Sequence, residues 1–535
     1  MDQRRFLLAL VLMFLLLFTY EQLFVRPYRR PPATPPETGQ PPAPTAEQPT
    51  AAPASPPVAG AAGLAAPVTE DTKTVTVDTD LVRATITTMG ARLMSLELKN
   101  FRRTVEADSP PLDLVTASQV LPLTAELGDG TSDAAVVYTP SKTAVEVHGA
   151  DQAEIVFTGK QAEGRAIEKR FRFPGNSYLF DLDINASGER NRLGLVLTPI
   201  SELGASGGRS SGRELAVALA DGKVTEKPVD KLAQATEVPN SVWAGFSAQY
   251  FAALAVPPDG NSTAWLAMSD NLPVARLDVP APEGKAHFAL FFGPKERDIL
   301  TAAGHQLDRA LDFGWFWFIA LPLLWGLRFL HRFIPNYGVN IILLTALVKL
   351  VTAPLTRTSF RNMKAMQKLQ PEMQRLRERY KDDQGALQKE VMELYKRNHV
   401  NPLSGCLPML LQLPIFVGLY NALMHAIELR HAPFVLWIND LAAPDRLPIP
   451  GVPIPGGGLP VLVIIMGLSM LLQQWMTPQQ GDPNQQRMMM IMPVVFTFIS
   501  INFPSGLVLY WLVNNILTMG QQWTMLRSAD GGAGR

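Results

Sequence analysis

Residues 338–355 read GVNIILLTALVKLVTAPL, an apolar run long enough to cross a bilayer and interrupted by one charge, Lys349. A lysine near the centre of a spanning helix costs roughly 2.5–3.5 kcal/mol on insertion scales, so such residues face a bundle interior or a water-filled cavity rather than lipid. That makes Lys349 a candidate functional residue. Snorkelling is the competing reading. Lys349 lies six residues before Leu355, about 9 Å at ~1.5 Å per residue, and a lysine stem recovers part of that distance by bending toward the interface.

Five further segments read as spans: 6–25, 403–429, 459–475, 488–503 and 507–526. The first follows Arg4 and Arg5 and ends at Tyr20-Glu21-Gln22 without a small-residue cleavage pattern, so residues 1–26 read as an uncleaved signal anchor. The last two are joined by the turn Pro504-Ser505-Gly506 and form a tight hairpin. Residues 356–401 hold eleven Lys or Arg and residues 430–458 hold two, which places the former in the cytoplasm. Six spans with both termini inside then follow, and residues 26–313 become extracytoplasmic; the Arg26, Arg29 and Arg30 cluster goes against the charge rule.

Composition agrees with a membrane protein carrying a polar insert: 47% of the 535 residues are apolar, 18% are charged, and the formal net charge is zero. Neutral charge excludes a general nucleic-acid binder, so no DNA partner is expected. The single cysteine, Cys406, excludes an intramolecular disulfide and a cysteine metal cluster, and reads as a small buried hydrophobe.

Thirteen prolines between Pro27 and Pro67 make an extended tether over 27–67 that cannot bury a core. Beyond it, alternating runs such as Thr74-Val75-Thr76-Val77 and Tyr178 to Ile184, bounded by Gly, Asn and Pro, predict a large antiparallel β-sandwich over 68–307. Its histidines, His148, His287 and His305, are too dispersed for a metal site. Residues 308–333, rich in Trp and Phe with Arg328, His331 and Arg332 near the end, read as an amphipathic helix in the outer interface. A span there is the alternative, and it would reverse the side of the basic connection.

That connection is a helical hairpin over 356–401. Phe360, Met363, Met366, Leu369, Met373, Leu376 and Tyr380 recur at steps of three or four, and Leu387, Val391 and Leu394 repeat the pattern after Asp382-Asp383-Gln384-Gly385. Its cations form either a solvated face or a contact surface for lipid headgroups or ribosomal RNA; Met363, Met366 and Met373 add a flexible apolar surface. No phosphate-binding loop, nucleophile elbow or zinc-binding His pair occurs, so neither catalysis nor a cofactor is expected. Depth matching along the antiparallel third span sets Gln412 level with Lys349, with Thr345, Thr352, Ser469 and Asn515 as further polar candidates; each could equally be a helix-packing hydrogen bond.

Asn401 to Pro408 with Gln412 to Phe416, and Phe503 to Trp511, resemble the signatures of the YidC-type membrane protein insertases, in the Gram-negative form that lacks a lipobox cysteine. The order of parts is similar as well, and the resemblance covers all but the tether. It implies a membrane α-helical bundle of six transmembrane helices, five of them forming an insertase core over 337–526, and a periplasmic sandwich similar to galactose mutarotases. It implies insertion and folding of nascent inner-membrane proteins, alone or with the Sec translocon, through a hydrophilic groove whose positive residue is here Lys349. The family's usual arginine is replaced, which keeps the charge and loses the planar bidentate fork. Tyr510 and Trp511 would line the groove. Ribosome contact would fall to the hairpin, because the tail 527–535 is short. A secondary transporter, a periplasmic sugar enzyme and a purely structural anchor are the competing classes; the first lacks internal repeats, the second lacks transferable catalytic residues, and the third needs no Lys349.

Overall fold

The computed structural model describes residues 64 and 73–530, apart from 116–119, 129, 162–163, 188–190, 201–213, 258–261, 270–271, 382, 401–406, 450–456 and 477–482. The expected signal anchor, nearly all of the tether, Cys406 and the last five residues lie outside the described residues.

Residues 74–294 form three sheets around one hydrophobic core. The largest has nine strands, in the order 223–228, 215–220, 241–247, 251–256, 285–294, 179–186, 166–174, 152–160, 138–140, all paired antiparallel. The alternation that predicts strands also sets their faces: in 166–174 it turns Ile167, Phe171 and Phe173 inward, and in the partner 179–186 Phe180, Leu182 and Ile184. Those rings continue one another, Phe171 to Phe173 to Phe180 to Phe292, at centroid separations of 6.2, 4.4 and 5.8 Å. Strand 251–256 is buried at every position, as its unbroken FAALAV requires of a strand covered on both faces. A five-stranded sheet, 236–239, 263–269, 272–280, 192–197, 124–126, covers part of the large one. The other, 111–113, 92–102, 82–87, 74–78, 144–146, departs from the all-antiparallel expectation: strands 74–78 and 144–146 run parallel.

One inward position on strand 166–174 is not apolar. Lys169 is fully buried, with its ammonium 2.6 Å from Asp133 and donating to the carbonyls of Gly90 and Leu123. Asp133 in turn accepts from Tyr138 Oη at 2.8 Å and from Ala125 N at 2.8 Å. Burial pulls the Lys169 amine below the ordinary lysine range while the Asp133 charge opposes the shift. Every donor of the ammonium has an acceptor, which is what makes a buried charge tolerable.

Nine helices follow among the described residues: α1 (Arg297–Ala303), α2 (Trp317–His331), α3 (Tyr337–Lys368), α4 (Gln370–Arg379), α5 (Gln384–Arg397), α6 (Leu407–His425), α7 (Val461–Met476), α8 (Pro483–Ser500) and α9 (Ser505–Asp530). The second span and the first arm of the hairpin are one helix, which carries Pro354 in its interior. α3 runs unbroken for 32 residues from an Asn336 cap, which accepts from Val339 N, to Leu369, where Pro371 in the first turn of α4 ends it. Over 337–354 α3 is long and apolar enough to cross a membrane, with a mean hydropathy of 1.6; α2, α7 and residues 490–500 are shorter apolar helices.

α3 and α9 start at the same loop. Phe434 packs on Gly338, where a Cβ would lie 2.0 Å from the ring, and Gly506 N and Ser505 N donate to Leu441 O and Ala443 O. The two helices therefore run parallel. Within the loop Asp445 accepts from Trp437 Nε1 and caps α7 through Leu462 N, and Arg446 donates to Ile501 O beyond the end of α8. The sandwich docks on the end of α6: Gln249 donates to Met424 O, Arg430 to the carbonyls of Arg102 and Arg103, and Arg328 of α2 reaches Glu296, Asp298 and Glu428.

The Lys169 network generates a test. Asp133→Ala, which strands a buried ammonium, is expected to destabilise the sandwich by about 3–5 kcal/mol, whereas Lys169→Met combined with Asp133→Leu recovers most of that loss. Thermal unfolding of the purified full chain in detergent measures both, and a double variant no better than Asp133→Ala overturns the account.

Candidate functional site

The candidate residues lie on faces of α3, α6, α7 and α9. On α3, Thr345, Lys349, Thr352, Thr356, Ser359, Met363 and Met366 follow one another at alternating steps of four and three, so one face of a single helix carries the hydroxyls, the lysine and two methionines. Thr345, Thr352 and Thr356 donate to the carbonyls of Ile341, Val348 and Thr352 at 2.6, 2.9 and 3.0 Å. With their protons committed along the helix, these hydroxyls present acceptor lone pairs to the α3 surface.

Lys349 Nζ donates to Thr518 Oγ1 on α9 at 2.9 Å, and the Thr518 hydroxyl donates to Asn514 O one turn back at 2.6 Å. The depth-matched partner Gln412 lies elsewhere. Its amide donates to Tyr510 Oη at 2.6 Å, joining α6 to α9 at the Tyr510 level. Asn515 donates to Ser469 Oγ at 3.1 Å, and Ser469 donates to Met466 O, tying α9 to α7. The structure thus divides the expected polar cluster into three cross-helix pairs, Lys349 with Thr518, Gln412 with Tyr510, and Asn515 with Ser469.

Tyr510 and Trp511 differ in kind. Tyr510 is 2% exposed, a core residue of the bundle. Trp511 is half-buried, its ring 4.3 Å from Phe416 of α6 and 4.0 Å from Phe496 of α8, so it stands between the two helices. α7 and α8 meet tightly at Gly467, where a Cβ would lie 2.3 Å from Thr497 Oγ1. The hairpin methionines are likewise divided. Met366 is buried with Leu369 and Val400, and Met373 Sδ accepts from Tyr395 Oη at 3.2 Å, so both hold the hairpin together; Met363 is half-buried.

Thr518 escaped the sequence reading. Asn514, Thr518 and Gln522, all buried and four apart, form a polar stripe on α9 whose spacing was the available signal. In the sandwich, His148 pairs with Asp80 and His287 with Asp183, each at under 3 Å, and no group of three metal-ligating residues occurs among the described residues.

The profile of the 60Kd inner membrane protein family matches residues 329–531, and that of the YidC periplasmic domain matches residues 74–326. A relative from Geobacter metallireducens, a membrane protein insertase YidC, is 38% identical over 97% of this chain and 97% of its own length. Among solved structures, an active YidC insertase is 19% identical with a TM-score of 0.37, covering 84% of this chain and 92% of that one. A galactose mutarotase-like protein from Lactobacillus casei is 12% identical with a TM-score of 0.27, covering 41% of this chain and 99% of that one. Neither structural likeness carries an argument at that level. Full-length identity to the sequence relative does, and by it the chain belongs to the YidC family of membrane protein insertases.

Proposed function

We propose that this inner-membrane insertase receives the polar or acidic extracytoplasmic end of a nascent membrane protein at Lys349, in a groove bordered by α3, α6, α7 and α9, and passes the apolar segment sideways into lipid. One observation supports the reading above others: inside the apolar stretch 337–354 the Lys349 ammonium has a neutral hydroxyl as its partner and no carboxylate within ion-pair distance among the described residues. A carboxylate arriving at about 4 Å would gain up to about 4 kcal/mol at an effective dielectric of 20, comparable with the cost of holding the lysine there. The half-exposed Thr352 hydroxyl spares a translocating polar segment part of its desolvation, and burial of the apolar segment in lipid drives the reaction.

The same reading gives six spans with both termini in the cytoplasm, a signal anchor at 1–26, a periplasmic sandwich over 68–307, an interfacial helix over 308–333, and a five-helix core over 337–526. The exposed aromatic rings of Trp315, Trp317, Trp325 and Phe333 support the interfacial placement of α2. In it the chain also acts as a folding chaperone, works with the Sec translocon, and meets ribosomes and lipid headgroups through the basic hairpin; the chemistry is transfer without a catalytic group.

Charge reception is tested with paired substrates differing only in acidic extracytoplasmic residues. Lys349→Arg is expected to retain insertion, Lys349→Ala to slow the acidic substrate most, and Lys349→Glu to be slowest of all, measured as insertion rates in liposomes at matched protein content. Equal effects on acidic and neutral substrates would sink the role.

For the hairpin, the continuity of α3 supplies a cleaner deletion than its sequence boundary. Removing residues 370–397 leaves α3 whole, and insertion is expected to be abolished while the bundle still assembles. Undiminished protease protection of the substrate would show that α4 and α5 are only a connector.

A further inference from the structure

The parallel register of α3 and α9 fixes where Lys349 rests. Both helices start at the same loop, Tyr337 and Ser505 being their first residues, so the Thr518 level of α9 lies beside the Lys349 level of α3. The residue that accepts from the lysine is Thr518, at 2.9 Å. The lysine stem is thereby held across to α9 and is not free to bend along the route a snorkelling lysine would follow.

The acceptor that stops it is chemically particular. The Thr518 proton is committed to Asn514 O at 2.6 Å, which leaves the oxygen able only to accept, and Thr518 is 8% exposed. An accepting oxygen that cannot donate suits an ammonium and not a carbonyl or a carboxylate. We infer that Thr518 is the positioning residue of the insertase charge: it holds the Lys349 ammonium part-way down α3, where an acidic substrate segment meets it, and keeps it from reaching the headgroups. Substrate is met by Lys349, and Thr518 acts through it. The inference rests on the charge-reception reading of Lys349 and adds a residue to it.

The experiment uses the full chain in liposomes with the acidic and neutral substrate pair. Thr518→Val keeps the shape and removes the acceptor; the acidic-to-neutral ratio of insertion rates is expected to fall about tenfold or more, in line with loss of one hydrogen bond to a charged group. Thr518→Ser restores the acceptor and is expected to restore the ratio. A residue that acts through Lys349 also gives a non-additive cycle, so the ratio for Lys349→Ala with Thr518→Val should equal that for Lys349→Ala alone. A uniform loss on both substrates, failure of serine to rescue, or additive effects would overturn the positioning role. If Lys349→Ala itself shifts no ratio, the charge-reception reading falls and the inference with it; if Lys349→Ala shifts the ratio and Thr518→Val does not, only the Thr518 assignment falls.

Discussion

The Lys349 ammonium finds its hydrogen-bond acceptor on another helix, at Thr518 of α9, and the packing of the bundle decides that it is there. Lys349 sits in an apolar helix flanked on its own face by Thr345 and Thr352 and across from Thr518. For that arrangement to hold, α9 must run parallel to α3, which the loop between α6 and α7 imposes by gripping both starts, Gly338 under Phe434 and Gly506 against Leu441. α9 is in turn tied to α7 through Asn515 and Ser469 and to α6 through Tyr510 and Gln412. A cross-helix hydrogen bond of this kind contributes only about 0.6–2 kcal/mol in a membrane. Its larger effect is to fix which faces meet.

The junction between sandwich and bundle is built differently, with charges that have partners. Arg328 gathers Glu296, Asp298 and Glu428 from two segments, and Glu296 and Glu428 are half-buried. Burial pushes the Glu296 carboxyl above its ordinary range, the neighbouring Glu428 charge adds to that, and Arg328 pulls it back down. Ile427 enters the sandwich core and Arg430 lies over the Phe251 ring at 5.6 Å, so the end of α6 is shared between the two parts. The sandwich is thereby fastened to the helix that carries Gln412.

Fold was legible where periodicity is strong. Period two along residues 166–174 and 179–186 placed the strands and their inward faces, and the apolar run around Lys349 placed α3. Partnership was less legible. Lys169 follows the inward phase like an apolar residue, and only the distant Asp133, thirty-six positions earlier, explains it. Depth matching paired Lys349 with Gln412 because it treats helices as lines; the actual partner depends on which faces turn toward each other, and close packing of Gly338 on the Phe434 ring and of Gly506 on Leu441 O sets that for α3 and α9. The hairpin methionines read as one open surface from their spacing, yet Tyr395 and Val400 of the return arm cover Met373 and Met366. Parallel pairing of 74–78 with 144–146 leaves no local signal, since residues 79–143 lie between the two strands.

The unbroken α3 has a mechanical consequence. Its 32 residues span about 48 Å at 1.5 Å per residue, from the Phe434 contact at one end to the hairpin at the other. A rod gripped at one end behaves as a lever. For a tilt of about 5°, elementary geometry moves Lys368 by roughly 4 Å and Lys349 by a little over 1 Å on that length. On that geometry a displacement at the hairpin end of α3 is about threefold smaller at the lysine, so a large movement at one end of the helix becomes a small, finely graded one at Lys349.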